Sequence, residues 1–587
     1  LQEVQVISGT FDAEYGQAMS GVVNAVLKEG TRDFRWSGET YVGGFVFPGA
    51  GERRNADDTI RPAAIQNYQL SLSGPFLPVP ETVYLVSGRR YVFDDYIRGT
   101  RVFVPTDSSD FEHKIFNPTG DGEEVVLGFS REWSGVVKVT NTALPNAKVS
   151  YQALINDVEG RRSNFAYRLN PDGLSEQKTF AIVHGLDWTH TLSPTAYMDL
   201  GFRQNYLRYS DRAFHNVYDT AYDEAGPPIQ DSNYEVGAVL QGVEFTRYVQ
   251  KTNTFLLKGS LVSQVRKDHQ VKVGGEVSWP EVSFGAPGRL TYTTVDGVEQ
   301  LVRHIDEPPD YPGVMNYYPL TAAAYAQDQI EWTDLTLRAG LRFEFFDSRA
   351  KVPSDLANPA NAIAGVPTST LVRASRKAVL APRLGVAYPI TERAAVHFAY
   401  GHFYQFPPIG TIFDNADYRV LSRLQAGGIS YGVLGNPDVK PEKTVQYEFG
   451  YKHAVTNDIG LDVTAFYKDI RDLLGVEFIT TYSDAEYARL ANVDFGSVVG
   501  FTVTLDDRKL GPASVAVDYT WQLAQGNASD PRETATRASA GEDPRPRQVP
   551  FNWDQRHTVN MTVSLAKPDV YAASAGMRIA SGQPYTP

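Results

Sequence analysis

Residues 335 to 345 read LTLRAGLRFEF, and apolar side chains alternate with polar ones along most of this stretch. The odd-numbered positions hold only Leu, Ala or Phe, whereas the even-numbered ones include Arg338, Arg342 and Glu344. A period of two is typical of a β-strand whose two faces meet different surroundings. In a soluble sandwich the apolar face would point inward, whereas in a membrane barrel it would face lipid. The stretch therefore predicts β structure and leaves these two architectures open.

Blocks with the same alternation recur along the chain and number about 19 between residues 34 and 583. A long link of roughly 19 to 37 residues follows every odd-numbered block, whereas links of mostly about 2 to 8 residues follow the even-numbered ones. One long link is expected between the predicted strands 458–472 and 494–507. Such sorting is typical of an outer-membrane barrel, which has tight turns on one rim and loops on the other. We therefore predict an all-β fold, a transmembrane antiparallel β-barrel.

The composition excludes several other classes of protein. Lys and Arg number 55 against 69 Asp and Glu, a net charge of −14, so nucleic acid is not an expected partner. The chain has no Cys, which removes disulfide scaffolds and thiol catalysis. It also lacks the run of roughly 18 apolar residues that a transmembrane helix needs. Motifs for phosphate binding, nucleophilic catalysis and zinc binding are missing, so we expect no enzyme activity, no catalytic residue, no cofactor and no bound metal.

The first 33 residues are a different unit, in which strands are predicted at residues 3–7 and 22–27. The connection between these strands is rich in Gly, and Gly16 and Gly21 are expected to supply turn conformations. About thirty residues cannot bury a core of their own. We therefore expect this unit to pack inside the lumen of the predicted barrel, which has space to fill.

The run VISGTFDAEYGQAMSGVVNAVLKEGT, residues 6–31, resembles the end of the plug domain of TonB-dependent outer-membrane receptors. Further stretches similar to this family include GNPDVKPEKTVQYEFGYKH at 435–453 and FNWDQRHTVN at 551–560. The resemblance covers essentially the whole chain and is nearest to the branch that often carries an N-terminal carboxypeptidase-regulatory-like domain. The residues that carry the plug motif are Glu14, Tyr15, Gly16, Ser20, Gly21 and Asn24.

The resemblance implies a 22-strand barrel around an N-terminal plug. Residues 1–33 would be the C-terminal end of the plug, and residues 34–587 the barrel. With about 19 strands predicted, we expect a fragment that lacks most of the plug, the TonB-contact segment and the last barrel strands. The implied location is the outer membrane of a Gram-negative-type bacterium. The implied partners are the TonB energy-transducing complex, outer-membrane lipid and lipopolysaccharide, an unknown extracellular small ligand and a surface lipoprotein.

The implied function is TonB-coupled active uptake of an extracellular ligand, in which polar contacts between plug and wall keep the pore shut until TonB pulls. The ligand class stays open among siderophores, cobalamin, glycans and peptides. Two alternatives also stay open. One is a passive porin, and the other is a surface adhesion or ligand-binding barrel without energy-coupled transport.

A predicted loop-to-strand transition at residues 310–318 is the preferred ligand-contact candidate. It combines the rigid rings of Tyr311, Tyr317 and Tyr318 with the amide of Asn316. Aromatic rings can stack on a small ligand while the amide forms hydrogen bonds to it. Most other aromatic residues near strand ends are expected to form the girdle at the membrane interface.

Overall fold

The computed structural model describes residues 2–9, 11–45, 62–215, 219–244, 247–285, 289–295, 298–304, 314–359, 363–416, 418, 421, 429–543, 548–567 and 570–584. The strands are β1 (Glu3–Ser8), β2 (Gly21–Val26), β3 (Arg35–Gly43), β4 (Ile65–Pro75), β5 (Thr82–Asp94), β6 (Arg98–Thr100), β7 (Glu124–Val126), β8 (Phe129–Asn141), β9 (Ala147–Arg161), β10 (Glu176–Ser193), β11 (Ala196–Arg212), β12 (Ile229–Gln230), β13 (Val239–Gln241), β14 (Tyr248–Arg266), β15 (His269–Gly285), β16 (Arg289–Val295), β17 (Val298–His304), β18 (Met315–Tyr317), β19 (Leu320–Trp332), β20 (Leu335–Asp347), β21 (Lys351–Pro353), β22 (Leu371–Arg373), β23 (Lys377–Thr391), β24 (Ala394–Gln405), β25 (Ile429–Leu434), β26 (Glu442–Ala454), β27 (Ile459–Thr480), β28 (Glu486–Leu510), β29 (Ala513–Gly526), β30 (Val549–Pro550), β31 (His557–Lys567) and β32 (Tyr571–Ala580).

The helical segments in the described ranges are short. These are the helices α1 (Ala221–Ala225), α2 (Ile409–Phe413) and α3 (Glu533–Ser539), with 3-10 turns at Phe165–Tyr167 and Pro171–Gly173. No helix in the described ranges is long and apolar enough to cross a membrane.

In the described part of the chain, nineteen strands pair antiparallel one after another in a single sheet that curls into a barrel, as the alternation in the sequence predicts. Within the described part of the chain, no ladder joins β3 to β32. The order of pairing is β3, β4, β5, β8, β9, β10, β11, β14, β15, β19, β20, β23, β24, β26, β27, β28, β29, β31 and β32.

The exposure of side chains in β20 shows which face of the sheet points outward. Leu341 and Phe343 are 48% and 42% exposed, whereas Arg342 and Glu344 beside them are each 1% exposed. The apolar face of this strand therefore points away from the lumen, and the polar face lines the interior. This is the arrangement of a membrane barrel and the reverse of a soluble sandwich.

Tight turns close one rim of the barrel, which we call the turn rim. Examples are residues 194–195 between β10 and β11, 267–268 between β14 and β15, and 333–334 between β19 and β20. The opposite rim, which we call the loop rim, carries the long links. Several of these links contain small two-stranded sheets such as β6–β7 and β21–β22. The predicted sorting of long and short links is confirmed for every link but one.

One predicted link is wrong. Strands β27 and β28 stay paired far beyond the predicted ends at 472 and 494, and only residues 481–485 join them. The register shifts between Ile470 and Leu474, and Asp472 there adopts a positive φ of 57°. This irregularity interrupts the alternation of side chains, so a pattern of period two ends at the bulge although the ladder continues beyond it.

At the loop rim, the ends of several strands and links pack together as an apolar cluster, which we call the mouth cluster. Helix α2 contributes Ile412 and Phe413, and the extended hairpin β27–β28 contributes Val476 and Leu490. The other buried members of the cluster are Val282, Phe284, Phe346, Phe406, Val433, Val439, Leu474, Ala488 and Ala535.

Candidate functional site

The N-terminal hairpin carries a loop into the lumen of the barrel. Strands β1 and β2 pair antiparallel, from Glu3 opposite Val26 to Ser8 opposite Gly21, which confirms the two predicted strands. The described residues between them, 9 and 11–20, are called the lumenal loop. They lie against the polar inner face of one side of the wall. The strands that contact this loop are β15, β19, β20, β23, β24 and β26.

Arg342 of β20 is at the centre of the contact between the lumenal loop and the wall. Its guanidinium donates to the carbonyl oxygens of Ala13 at 3.4 Å and Glu14 at 3.1 Å. The same group forms ion pairs with Glu344 at 2.8 Å and with Glu276. Because a guanidinium presents five donors in a fixed geometry, one side chain can join the loop backbone to two wall carboxylates.

Gln17 extends this network towards the loop rim. Its amide nitrogen donates to Glu344 Oε2 at 2.8 Å, and its amide oxygen accepts from the backbone nitrogen of Phe406 at 3.1 Å. Buried Glu344 thus receives hydrogen bonds from both Arg342 and Gln17, as a buried carboxylate requires. Gln17 also has a positive φ of 54°, a conformation uncommon in residues other than Gly. Its two hydrogen bonds to the wall offset the cost of that backbone conformation.

Phe11 and Arg383 form a second cluster at the start of the lumenal loop. The buried ring of Phe11 packs against Phe403, with 4.6 Å between the ring centroids. The guanidinium carbon of Arg383 lies 4.9 Å from the Phe11 centroid and 4.7 Å from the Phe403 centroid. The same guanidinium donates to the carbonyl oxygen of Phe11 at 3.1 Å and to that of Asp12. Phe11, Phe403 and Arg383 are all buried, so their aromatic and cation–π contacts are shielded from water. These contacts therefore add to the stability that the hydrogen bonds provide.

Other polar contacts hold the middle of the lumenal loop. Glu14 forms an ion pair with Lys272 of β15. The backbone nitrogen of Ala13 donates to Gln327 Oε1 of β19 at 3.1 Å. Hydrogen bonds and ion pairs of this kind are directional and break over short distances. The loop can therefore be held firmly and still be released without breaking a covalent bond.

Two glycines let the loop backbone approach the wall closely. Gly9 has a φ of 84°, and a Cβ at this position would overlap the carboxylate of Glu448. A Cβ at Gly16 would overlap the guanidinium of Arg342. The prediction that Gly16 and Gly21 supply turn conformations is wrong, because neither has a positive φ. Gly16 provides space for Arg342, and Gly21 begins β2 opposite Ser8.

A second contact, called the turn-rim anchor, lies where the chain leaves the hairpin and enters the barrel. The Glu29 carboxylate pairs with Lys148 and lies 3.7 Å from Lys138 Nζ, which also donates to the carbonyl oxygen of Leu27 at 3.2 Å. The backbone nitrogen of Thr31 donates to Ser73 Oγ of β4 at 2.9 Å.

The charge state of Glu29 depends on its burial and on the two neighbouring lysines. Burial raises the pKa of the Glu29 carboxyl, but the hydrogen bond and positive charge of Lys148, with a further effect of Lys138, outweigh burial. The pKa of Glu29 is therefore lower than its ordinary value, and the ion pair is formed at neutral pH.

The structure brings together some residues of the predicted plug motif. Glu14 and Gly16 lie in the contact with the wall, and the Tyr15 ring meets the Phe11 ring edge-on at a centroid distance of 6.3 Å. Ser20 and Asn24 are exposed and form no side-chain hydrogen bond within the described ranges.

The sequence reasoning missed the wall side of the contact. Its main members are Lys272, Gln327, Arg342, Glu344 and Arg383. A signal for Arg342 and Glu344 was present, because both lie on the polar face of the stretch quoted at the outset. Alternation assigns a residue to the lumen, but it does not tell which part of the lumenal loop that residue meets.

Of the predicted ligand-contact residues, Tyr317 packs against the mouth cluster. Tyr317 stacks on Phe413 with 4.0 Å between centroids and donates its hydroxyl to the Phe413 carbonyl oxygen at 3.2 Å. Asn316 and Tyr318 are exposed. Tyr311 lies outside the described residues. The structure thus places one of these side chains in the packing of the mouth and two at the surface.

Within the ranges that the structure covers, no group of three or more His, Asp or Glu side chains is placed to hold a metal ion. The contacts of the lumenal loop are hydrogen bonds, ion pairs and ring contacts. Such an arrangement can hold and release a segment of chain.

Comparison with known proteins places the barrel in a family. The family model for the β-barrel of TonB-dependent receptor-like proteins matches residues 117–585. No curated protein matches the chain in sequence.

Several solved structures share the fold. The outer-membrane transporter YddB from Escherichia coli aligns with a TM-score of 0.65 at 11% identity, over 96% of this chain and 70% of its own. The ferric enterobactin receptor PfeA from Pseudomonas aeruginosa aligns with a TM-score of 0.61 at 14% identity, over 98% and 72%. The alcaligin receptor FauA from Bordetella pertussis aligns with a TM-score of 0.57 at 13% identity, over 99% and 74%. At these identities the likeness shows a common fold.

Proposed function

The chain belongs to the TonB-dependent receptor-like β-barrel family, and from this premise we propose that it takes up an extracellular ligand by TonB-coupled active transport. The family and the fold place it in the outer membrane of a Gram-negative bacterium as a β-barrel. We also propose that residues 1–33 are the end of a plug domain and that residues 34–587 are the barrel. The barrel would bind and admit a ligand without covalent chemistry.

The observation that carries the proposal is the lumenal loop inside the barrel. A passive pore needs an unobstructed lumen, whereas here Arg342, Arg383 and Lys272 hold a segment of the same chain against the inner wall. All of these contacts are noncovalent. A pulling force from TonB on the plug could break them in sequence, and the loop could bind again afterwards.

Ligand binding is proposed at the loop rim, on Tyr311, Asn316, Tyr317 and Tyr318. Exposed Asn316 and Tyr318 would contact the ligand directly. Tyr317 would support the site through its stacking on Phe413. Ordering of the loops around the ligand would then be coupled to release of the plug.

Uptake assays in cells that produce the receptor test the transport proposal. Labelled ferric siderophores, cobalamin, glycans and peptides would be offered to cells with TonB, without TonB, and with a protonophore. We expect one ligand class to accumulate only in energised cells that contain TonB. Accumulation without TonB would show a porin, and surface binding without accumulation would show an adhesion or binding protein.

Substitutions test the ligand-contact residues once a ligand is known. Tyr311→Ala, Asn316→Ala and Tyr318→Ala should each weaken ligand binding. Tyr317→Phe keeps the stacking on Phe413 and should have a smaller effect than Tyr317→Ala. Tyr388→Ala, on the outer face near the turn rim, is the matched control and should leave affinity unchanged. Unchanged affinity in all four site positions would exclude this site.

A further inference from the structure

Gln17 is a residue of the lumenal loop whose side chain reaches the mouth of the barrel. Its amide nitrogen donates to Glu344 Oε2 at 2.8 Å, and its amide oxygen accepts from the backbone nitrogen of Phe406 at 3.1 Å. Gln17 itself is exposed, but Glu344 is only 1% and Phe406 only 7% exposed. Loss of the Gln17 amide would therefore leave a buried carboxylate and a buried backbone N–H with one hydrogen bond fewer each.

Phe406 is the first residue after β24, and it carries this contact into the mouth cluster. Its ring stacks on that of Phe346 with 4.7 Å between the centroids. Helix α2 begins three residues later, at Ile409. The last residue of α2, Phe413, stacks on Tyr317 and accepts a hydrogen bond from its hydroxyl at 3.2 Å. The helix is thus held near its start through Phe406 and at its end through Tyr317.

The inner face of β20 supports both the lumenal loop and the mouth. Arg342, Glu344 and Phe346 are alternate residues of this strand, so they share one face and follow one another towards the loop rim. Arg342 holds the backbone of the lumenal loop, and Phe346 packs in the mouth cluster. Glu344 lies between them and accepts from Gln17. Among the described residues, the bond from Phe406 to Gln17 is the one hydrogen bond that joins the lumenal loop to the mouth cluster.

We propose that Gln17 couples the lumenal loop to helix α2. While the loop is in place, the Gln17 amide holds Phe406 and so keeps α2 packed in the mouth cluster. Withdrawal of the loop removes the acceptor of the Phe406 nitrogen and loosens α2. By linkage, a movement of α2 that displaces Phe406 weakens the hold on the loop by the same free energy. Gln17 is therefore a positioning residue that acts in both directions.

This coupling deepens the proposed function, and its role in transport rests on that function. The predicted ligand contacts Asn316 and Tyr318 flank Tyr317, which stacks on α2. A ligand that shifts Tyr317 would act on the lumenal loop through α2 and Gln17. The coupling can be measured without TonB and without a ligand. If it were absent while uptake remained dependent on TonB, the transport proposal would stand without it.

Thiol labelling of a buried position in α2 tests the coupling, because the chain has no Cys. Ile412 is 0% exposed, so Ile412→Cys should react only when α2 opens. Labelling rates are measured on the receptor purified from outer membranes, with Gln17 unaltered and with Gln17→Gly, because Gly accepts the positive φ at position 17. We expect labelling to be about three- to tenfold faster with Gln17→Gly, the factor to which one net hydrogen bond corresponds. Heat-resistant migration on a gel confirms that the barrel is folded in each variant.

A second substitution separates coupling from a local effect at Gln17. Phe11→Ala loosens the lumenal loop at its start, where Phe11 contacts Phe403 and Arg383 and no member of the mouth cluster within the described ranges. It should speed the labelling of Ile412→Cys when Gln17 is present, and add nothing once Gln17→Gly is in place.

Ser20→Gly, at an exposed residue of the same loop, is the matched control and should leave the labelling rate of Ile412→Cys unchanged. An unchanged rate with Gln17→Gly would overturn the proposal. So would equal acceleration by Phe11→Ala with and without Gln17, or an acceleration by Ser20→Gly as large as that by Gln17→Gly.

Discussion

The guanidinium of Arg342 donates a hydrogen bond of 3.1 Å to the carbonyl oxygen of Glu14, from the middle of the barrel wall to the N-terminal loop. The donor comes from the wall and the acceptor is backbone, so the bond depends on the path of the loop and not on the Glu14 side chain.

A thiol probe can report on this contact, because the chain has no Cys. We choose Ala18→Cys, in the lumenal loop, and measure its rate of labelling as a report of loop opening.

The first prediction concerns the buried pair Arg342 and Glu344. Arg342→Met leaves the Glu344 carboxylate buried without its cation, at a cost of about 3–5 kcal/mol. We expect much faster labelling of the Ala18→Cys probe and greater entry of large antibiotics into cells.

The double variant Arg342→Met with Glu344→Leu should recover part of the lost stability, because it no longer buries a carboxylate without its cation. Arg338→Met is the control, because the ion pair of Arg338 with Asp12 is partly exposed and 3.7 Å long. It should change stability by less than about 1 kcal/mol. Equal labelling in Arg342→Met and Arg338→Met would contradict the central role of Arg342.

The second prediction concerns packing at the start of the lumenal loop. Phe11→Ala removes a buried ring that contacts both Phe403 and Arg383, and the loss of such a ring costs about 3–5 kcal/mol. Phe11→Leu retains much of the apolar contact and should cost less. We expect the Ala18→Cys probe to be labelled fastest in the Phe11→Ala variant, more slowly in Phe11→Leu, and slowest when Phe11 is unchanged. Another order would show that the ring does not hold the loop.

The third prediction is a pH dependence of the turn-rim anchor. The folded-state pKa of Glu29 lies below its ordinary value of 4.5, so the ion pair with Lys148 contributes stability above about pH 4.5. That contribution is lost as pH falls through the lower folded-state pKa. Hydrogen exchange of residues 27–31, corrected for the intrinsic effect of pH, should accelerate below pH 4.5.

Glu29→Gln should show fast exchange at every pH, without the acid-dependent step. Lys28→Gln is the matched control, because exposed Lys28 lies beside Glu29 and forms no ion pair within the described ranges. It should keep the step. If the Glu29→Gln chain kept the same step, another group would be responsible for it.

The fourth prediction concerns the space around Gly30. A Cβ at this position would lie 2.5 Å from the backbone nitrogen and 2.6 Å from the backbone oxygen of Tyr84. Because backbone atoms of a paired strand cannot move aside, Gly30→Ala should detach the turn-rim anchor and speed the exchange of residues 27–31. Gly88→Ala, which places its methyl group in open space, should change stability by less than about 0.5 kcal/mol. Similar exchange in the two variants would show that the anchor tolerates displacement.

Much of the fold could be predicted from the sequence, because a strand shows its two faces in its residue pattern. In β20 the alternation of Leu341 and Phe343 with Arg342 and Glu344 predicts a strand, and sorted link lengths predict a barrel. The prediction failed after Asp472, where a bulge breaks the period of two although the ladder continues. A local pattern cannot reveal pairing that a neighbouring strand maintains.

The candidate site was predicted only on its N-terminal side. The plug motif identified Glu14 and Gly16, but neither Lys272 nor Arg342 could be assigned to them from sequence. These partners are separated by roughly 260 to 330 residues, and alternation shows only that each faces the lumen.

The sequence by itself determined that the chain forms strands, that these form a barrel with sorted rims, and that a short N-terminal unit must pack against something else. These properties depend on local periodicity and on the inability of about thirty residues to bury a core. The tertiary structure decided which wall residues hold the lumenal loop. The curvature of the sheet brings strands that are distant in sequence to one place, and this is not encoded in any single stretch of the chain.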